Sequence, residues 1–266
     1  MPRKPPFDYK WVVAVIFVLG LFMEIMDTTI VNVAIPTLSR EFNVRGAGIE
    51  WVVLGYLLSI AVWIPSSGWI GDRIGTKRTF LFALFVFTSA SALCGASHSL
   101  GELIAFRILQ GVGGGMLTPV GTAMLYRAFP PEERARASTV LVVPTVIAPA
   151  LGPIIGGLLI EHLTWHWIFL VNLPIGIVTV IAAWKILDSD KGIGFGAGAD
   201  VLGYYRLGEA DPGAIASAAV RSVTCVLEAC SSMGASAPAS EITAVMVQSI
   251  APIVAAPSIA PWPSAS

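Results

Sequence analysis

The chain has 266 residues, of which 55% are hydrophobic and only 12% are charged, and its mean hydropathy is +0.78. Soluble domains carry about 25% charged residues, so this composition predicts a protein that lies in a lipid bilayer. The formal net charge of −1 gives no support for nucleic-acid binding.

Six apolar stretches are long enough to cross a membrane. A spanning helix needs roughly 20 predominantly apolar residues, and such stretches lie near 11–36, 51–70, 79–97, 101–126, 138–160 and 167–187. The first is too long for a cleavable signal peptide and contains Glu24 and Asp27. Because the connectors are short, the sequence predicts an all-α polytopic membrane protein whose residues 1–187 form one six-helix bundle.

Lysine and arginine residues are concentrated at one end of these stretches. They precede the first span and follow the second, fourth and sixth spans, at Arg3, Lys4, Lys10, Arg73, Lys77, Arg78, Arg127, Arg134, Arg136, Lys185 and Lys191. The opposite ends carry only Arg40 and Arg45. Because basic loops stay in the cytoplasm, we expect a multi-pass protein of the inner (plasma) membrane with both termini cytoplasmic.

Three ionisable side chains stand out well inside the predicted spans, namely Glu24, Asp27 and Arg107. Such groups are costly in a membrane and are candidates for function. Counting residues at a rise of 1.5 Å places Asp27 and Arg107 at similar depths in the outer half of the bilayer, where they could meet. Glu24 is three residues from Asp27 and shares its helix face, but it could also face lipid headgroups or a neighbouring helix.

The predicted role of Asp27 is to take up and release a proton. A nearby guanidinium favours the carboxylate, whereas removal from water favours the carboxylic acid, so a conformational change could move a proton on or off this group. Arg107 would tune the acid or bind a substrate, because it stays protonated. The alternative is a static ion pair that fixes helix packing. Polar residues in the spans could line a cavity or bond neighbouring helices, namely Asn32, Gln110 and Thr118.

A short segment between the second and third spans, residues 68–78, combines glycines, an acid and basic residues. We expect it to form a cytoplasmic gating loop through Gly68, Asp72, Arg73, Gly75, Lys77 and Arg78. The pattern resembles the loop between helices two and three of the major facilitator superfamily of transporters. Thr76 departs from the basic residue usual in that family.

Further motifs resemble one branch of that superfamily, the fourteen-helix drug:proton antiporters. They are residues 26–36 in the first span, residues 107–115 in the fourth, and residues 165–176 at the start of the sixth. The arginine of the family's fourth-helix motif, here Arg107, is implicated in proton transfer. His166 stands where an arginine is common.

The fifth span also resembles the antiporter motif of this branch, through Gly152, Pro153, Gly156 and Gly157, with Ala148 replacing the usual leading glycine. Small residues four apart permit close helix contact, and a proline bends the helix. This close helix contact would resist proton leakage and govern the rocking of the helix bundle. Ordinary glycine-mediated packing is the alternative, but the resemblance favours export.

The resemblance implies a non-enzymatic membrane transporter half that exchanges protons for small amphipathic drugs and is associated with antibiotic resistance. A non-transporting truncated fragment and a proton-coupled uptake protein are the alternatives. Expected partners are membrane lipid and either a second copy or a second transporter half. No cofactor or metal site is expected, and the cysteines, Cys94, Cys225 and Cys230, are not expected to form a disulfide.

The resemblance covers about residues 7–187 and then fails. Residues 188–266 are rich in alanine, serine, proline and glycine. We expect them to form a cytoplasmic tail that is disordered or translated out of the ancestral frame.

Overall fold

A computed structural model of the protein describes residues 9–44 and 47–187. The predicted tail, the chain termini, Cys225 and Cys230 lie outside these described residues.

The described residues form helices and short connections. The helices are α1 (Tyr9–Glu41), α2 (Ala47–Ile74), α3 (Thr76–Gly95), α4 (Leu100–Ala128), α5 (Arg134–His162), α6 (Trp167–Leu170) and α7 (Asn172–Ile186), and a 3₁₀ turn at Pro131–Glu133 precedes α5. Six segments are long and apolar enough to cross a membrane. The six predicted spans are therefore confirmed, with one refinement: the sixth is divided at Val171 into α6 and α7.

Helix α4 lies at the centre of the bundle because its glycines admit two neighbours. A Cβ atom on Gly111 would lie 2.7 Å from the carbonyl oxygen of Tyr56 in α2, and one on Gly113 would lie 2.6 Å from that of Ala83 in α3. Gly115 meets α2 again, 2.9 Å from the Ile60 oxygen. These glycines thus bring three helix backbones together, as small residues do in membranes.

The turn between α2 and α3 is shorter than the sequence suggested. Residues 68–74 continue α2, and α3 begins at Thr76. The helix breaks only at Gly75, whose φ of 98° favours glycine. The Gly75 amide still donates to the Gly71 oxygen at 3.0 Å. Most residues of the expected loop at 68–78 therefore belong to the ends of α2 and α3.

Helix α5 packs mainly against α1 and presents much of its surface outward. Five of its large hydrophobic side chains are exposed, namely Val142, Val146, Ile147, Ile154 and Leu158. Apolar residues on the outside of a membrane bundle can face lipid or another protein surface. Helix α7 packs against α3 and α1, and this packing brings its first residue toward the centre.

Candidate functional site

The centre of the bundle contains an ion pair between α1 and α4. Arg107 Nη1 lies 2.6 Å from Asp27 Oδ2, and the two side chains are 1% and 0% exposed. The structure therefore brings together the two residues whose depths matched in the sequence. An ion pair this deep is removed from water, so each charge depends on the other and on its hydrogen bonds.

The second oxygen of Asp27 is held by two amides. Gln110 Nε2 donates to Asp27 Oδ1 at 3.0 Å, and Asn172 Nδ2 donates to the same oxygen at 2.8 Å. With Arg107, the carboxylate accepts from three donors. In all three of these hydrogen bonds Asp27 is the acceptor, as an ionised carboxylate must be.

Arg107 is fixed by contacts from several helices. Its Nε donates to the Val52 oxygen at 3.2 Å, and its Nη1 also donates to Gln110 Oε1 at 2.7 Å. The guanidinium carbon lies 4.0 Å from the centroid of the Tyr56 ring and 5.9 Å from that of Phe169. Aromatic faces attract cations. The guanidinium is therefore positioned by α2, α4 and α6 as well as by the acid.

Two members of this centre were not predicted from the sequence, namely Ser91 and Asn172. Asn172 Nδ2 also donates to Ser91 Oγ at 3.2 Å, and Ser91 Oγ donates to the Phe169 oxygen at 2.9 Å. Asn172 was visible as a polar residue within the sixth-span motif, whereas a serine in a membrane helix gives almost no signal. Gln110, expected to line a cavity or bond a neighbour, is fully buried and bonds Asp27 and Arg107.

Glu24 lies outside this network. Its Oε2 accepts a 2.8 Å hydrogen bond from Thr118 Oγ1 on α4, and its side chain is half-buried. Asn32, the other predicted cavity residue on α1, is also half-buried, and its Oδ1 has no partner among the described residues. The acids at 24 and 27 therefore have different surroundings although they are three residues apart.

Basic side chains tie helix ends together around the short turn. Arg127 Nη1 donates to Thr76 Oγ1 at 2.7 Å, and Lys77 Nζ donates to the Leu187 oxygen. The Arg73 guanidinium lies 4.8 Å from the centroid of the Trp69 ring. Gly68 has open space beside it, Asp72 is half-buried and Arg78 is exposed. Most of the predicted gating residues thus end helices instead of forming a free loop.

A second ion pair joins the start of α1 to the turn before α5. Lys10 Nζ lies 2.7 Å from Glu133 Oε2, and both side chains are partly exposed. The hydrogen bond from Lys10 lowers the pKa of the Glu133 carboxyl from its ordinary value.

The predicted antiporter motif of α5 crosses α1 beside the central acid. A Cβ atom on Gly152 would lie 2.0 Å from Thr29 Oγ1, and one on Gly156 would lie 3.4 Å from Ile30. Gly157 would meet nothing within 4 Å, and Pro153 is exposed. Only part of the motif therefore forms the crossing, which occurs two residues after Asp27.

Within residues 9–44 and 47–187, no three His, Cys, Asp or Glu side chains are grouped so as to hold a metal ion. Cys94 is buried as a free thiol.

The chain is similar in sequence to curated proteins. Over 179 residues, the chain is 42% identical to "Putative multidrug resistance protein MdtD" of Pectobacterium carotovorum subsp. carotovorum (strain PC1), covering 67% of this chain and 38% of the relative. The protein of the same name from Serratia proteamaculans (strain 568) is 41% identical over 179 residues, with 67% and 37% covered. The chain thus spans less than two fifths of the length of these curated relatives.

Solved transporters share the fold. The proton:xylose symporter XylE bound to 6-bromo-6-deoxy-D-glucose is 12% identical, with a TM-score of 0.62 over 90% of this chain and 53% of that one. The human organic anion transporter MFSD10 (TETRAN) is 16% identical, with a TM-score of 0.52 over 70% and 49%.

The sequence profile of the Major Facilitator Superfamily matches residues 17–260, most of the chain. This range extends beyond the 179-residue alignments with the curated relatives. The chain is a multi-pass membrane protein and belongs to the Major Facilitator Superfamily of transporters.

Proposed function

We propose that the chain acts as half of a proton-coupled multidrug exporter, in which Asp27 exchanges protons and small amphipathic drugs move in the opposite direction. One observation carries this proposal: the acid lies in an ion pair, away from water, at the meeting point of helices from across the bundle. Protonation of Asp27 would remove the charge that holds Arg107. A proton at this position therefore changes the forces between α1 and α4.

In the proposed cycle, the described arrangement is the deprotonated state of Asp27. A proton arriving from the outside converts the carboxylate to the neutral acid and weakens its attraction to Arg107, which stays charged. The helices then rearrange, and the proton leaves on the cytoplasmic side as the ion pair forms again. The protonated and deprotonated states of Asp27 favour different arrangements of the bundle. Proton entry is thereby coupled to drug movement in the opposite direction.

The α5 crossing supports export as the direction. Gly152 brings α5 against α1 at Thr29, next to the acid, without a space that a side chain could occupy. We infer that this contact seals the bundle beside the proton site, while the tied helix ends around Gly75 control opening toward the cytoplasm. The multidrug resistance name of the relatives agrees with this direction.

A complete transport path requires a second bundle. Transporters of this kind move one bundle against another around a site near the middle of the membrane. The exposed apolar face of α5 provides a surface for such a partner. The partner would be a second copy of this chain or a separate transporter half, placed parallel to the first about an axis along the membrane normal.

The proposed setting is the inner membrane, with both ends of the bundle's chain in the cytoplasm. The basic residues around the α2–α3 turn, together with Lys10 and Arg127, lie at the end that would face inward.

Transport by purified protein in proteoliposomes tests the proposal. The chain is reconstituted alone, and separately with the remainder of the Pectobacterium MdtD relative, in vesicles with an acidic lumen. We expect a cationic amphipathic dye such as ethidium to accumulate in the lumen as protons leave, in at least one preparation, and a protonophore to abolish this accumulation.

Two results would contradict the proposal. No protonophore-sensitive flux in either preparation would favour a non-transporting fragment. Accumulation only when the acidic side is outside the vesicle would indicate proton-coupled uptake.

A further inference from the structure

The side-chain amide of Asn172 has one half engaged and one half free. Its Nδ2 donates to Asp27 Oδ1 at 2.8 Å and to Ser91 Oγ at 3.2 Å, while its Oδ1 is buried and accepts from no donor among the described residues. A buried amide oxygen without a partner is uncommon, because its lost contact with water is not replaced. Its presence beside a titratable acid needs an explanation.

The donor half matches the charged form of Asp27. A carboxylate offers acceptors only, and Asn172 supplies one of the three donors that satisfy it. A protonated acid has a different need, because its hydroxyl must donate to an acceptor. The amide oxygen of Asn172 is an acceptor on the side chain that already touches Asp27.

The competing amide at the acid is already engaged. Gln110 Oε1 accepts from Arg107 Nη1 at 2.7 Å and lies 3.7 Å from Cys94 Sγ. Turning this side chain over would break the bond to Arg107. The Asn172 oxygen has no such bond to lose, so Asn172 can reverse its amide at lower cost.

We propose that Asn172 is a positioning residue that senses the protonation of Asp27 by exchanging its amide donor for its amide acceptor. This inference rests on the proposed proton exchange at Asp27. When the acid takes up one proton from solution, the Asn172 amide turns over, and its Oδ1 accepts from the new hydroxyl. No bond to carbon changes, and Asn172 gains or loses no proton.

The amide exchange changes the hydrogen bonds at Val171, where the sixth span is divided into α6 and α7. Asn172 is the first residue of α7, directly after Val171, and its Nδ2 now reaches Ser91 on α3. Turning the amide withdraws that donor from Ser91, whose hydroxyl donates to the Phe169 oxygen in α6. Protonation of Asp27 on α1 thereby changes the hydrogen bonds at the junction of α6 and α7.

Other ionisable groups face Asp27 and must be considered in any pH response. They are Arg107 on α4, Tyr56 on α2, Cys94 on α3, and Glu24 on α1 itself. Helix α6, residues 139–160 of α5 and residues 172–184 of α7 contain no ionisable side chain. The contribution of α7 to the acid is therefore the Asn172 amide and not a charge.

Infrared difference spectroscopy of the full chain in proteoliposomes tests the inference. Stepwise acidification should produce a carboxylic acid C=O band that the variant Asp27→Asn lacks. In Asn172→Leu, which keeps the shape but can neither donate nor accept, the midpoint of this band should move by less than about one pH unit, since support for the carboxylate and support for the acid are lost together. Asn172→Asp, which places a second carboxylate beside Asp27, should move the midpoint to more alkaline pH.

Thr88→Val is the matched control. Thr88 Oγ1 is also buried without a partner among the described residues, and it contacts α7 at Gly176. We expect this variant to leave the midpoint unchanged. The native protein should also show an amide C=O difference band that follows the Asp27 band and is absent in Asn172→Leu.

The outcomes separate the two proposals. The absence of any band that depends on Asp27 would overturn proton exchange at this residue and the inference with it. An Asp27 midpoint that moves by about one to two pH units to more alkaline pH in Asn172→Leu, as loss of a donor alone would cause, would overturn the inference alone. A shifted midpoint without the amide band would reject the exchange of donor for acceptor.

Discussion

Helix α1 is held in two different ways on two of its sides. Toward α4 and α7 it presents Asp27, which is bound by a guanidinium and two amides. Toward α5 it presents Thr29 and Ile30, which lie against Gly152 and Gly156 in close contact. The first contact depends on charge and hydrogen bonds, and the second depends on close packing. Under the proposed function, protonation of Asp27 would alter one contact of α1 and leave the close contact with α5 in place.

The largest expected effect comes from breaking the charged side. Arg107→Gln leaves Asp27 buried without its cation and should lower the free energy of unfolding by about 3–5 kcal/mol. Unfolding in detergent micelles, followed by helical circular dichroism, measures this loss.

The double variant Asp27→Asn with Arg107→Gln separates charge from packing. Because it leaves no unpaired charge, we expect it to recover most of the lost stability while proton drive stays absent. A double variant as unstable as Arg107→Gln would mean that the guanidinium acts mainly through its packing against Tyr56.

Breaking the shape-dependent side should have the next largest effect. Gly152→Ala places a Cβ atom 2.0 Å from Thr29 Oγ1, so α1 and α5 must separate. We expect a loss of about 1–3 kcal/mol in unfolding free energy. Spin-label distances between α1 and α5 should increase.

Gly157→Ala is its control within the same motif, because its Cβ atom would meet nothing within 4 Å. Equal losses in the two variants would contradict the assignment of the crossing to Gly152. Thr29→Ala should restore part of the stability of Gly152→Ala by removing the atom of closest approach.

A smaller effect is expected at Glu24. Glu24→Gln keeps an acceptor for the Thr118 hydroxyl and breaks no ion pair among the described residues. Gradient-driven dye accumulation should fall by less than about tenfold in this variant. The fall expected when Asp27 is replaced is far larger, because Asp27 is the proposed proton carrier. Complete loss of drive in Glu24→Gln would transfer the proposed proton role from Asp27 to this residue.

The smallest effect is expected at the Lys10–Glu133 pair, which is partly exposed. The pKa of Glu133 is lowered from its ordinary value of 4.5, so the pair stabilises the fold above that pH and loses its effect as the pH falls through the lowered value. Lys10→Met should abolish this part of the pH dependence. On the order of 1 M salt should weaken the native pair in the same way. A native-like acid response in Lys10→Met would contradict the role of the pair.

The sequence predicted the spans and the central contact for a physical reason. Hydropathy shows which segments cross the membrane, and the constant rise per residue gives the depth of each residue in the bilayer. The depths of Asp27 and Arg107 could therefore be matched. The rotation of each helix about its axis depends on packing. For that reason the roles of Gln110 and Asn172 at the acid were not foreseen.

The turn after α2 differs for a similar reason. Glycines and charges signal a helix end, but they do not give its length. A single residue with positive φ, Gly75, is sufficient to reverse the chain here. The neighbouring basic residues instead satisfy carbonyl and hydroxyl groups at helix ends, as Lys77 and Arg127 do.

Dye transport by Asp27→Asn, compared with the native protein, tests most directly whether this acid couples protons to movement. Both proteins are reconstituted with the same second half, and dye exchange without a pH gradient is measured beside accumulation with one. We predict that Asp27→Asn retains exchange at equal pH but loses gradient-driven accumulation. Accumulation equal to that of the native protein would contradict the account, since the proton would then be carried elsewhere.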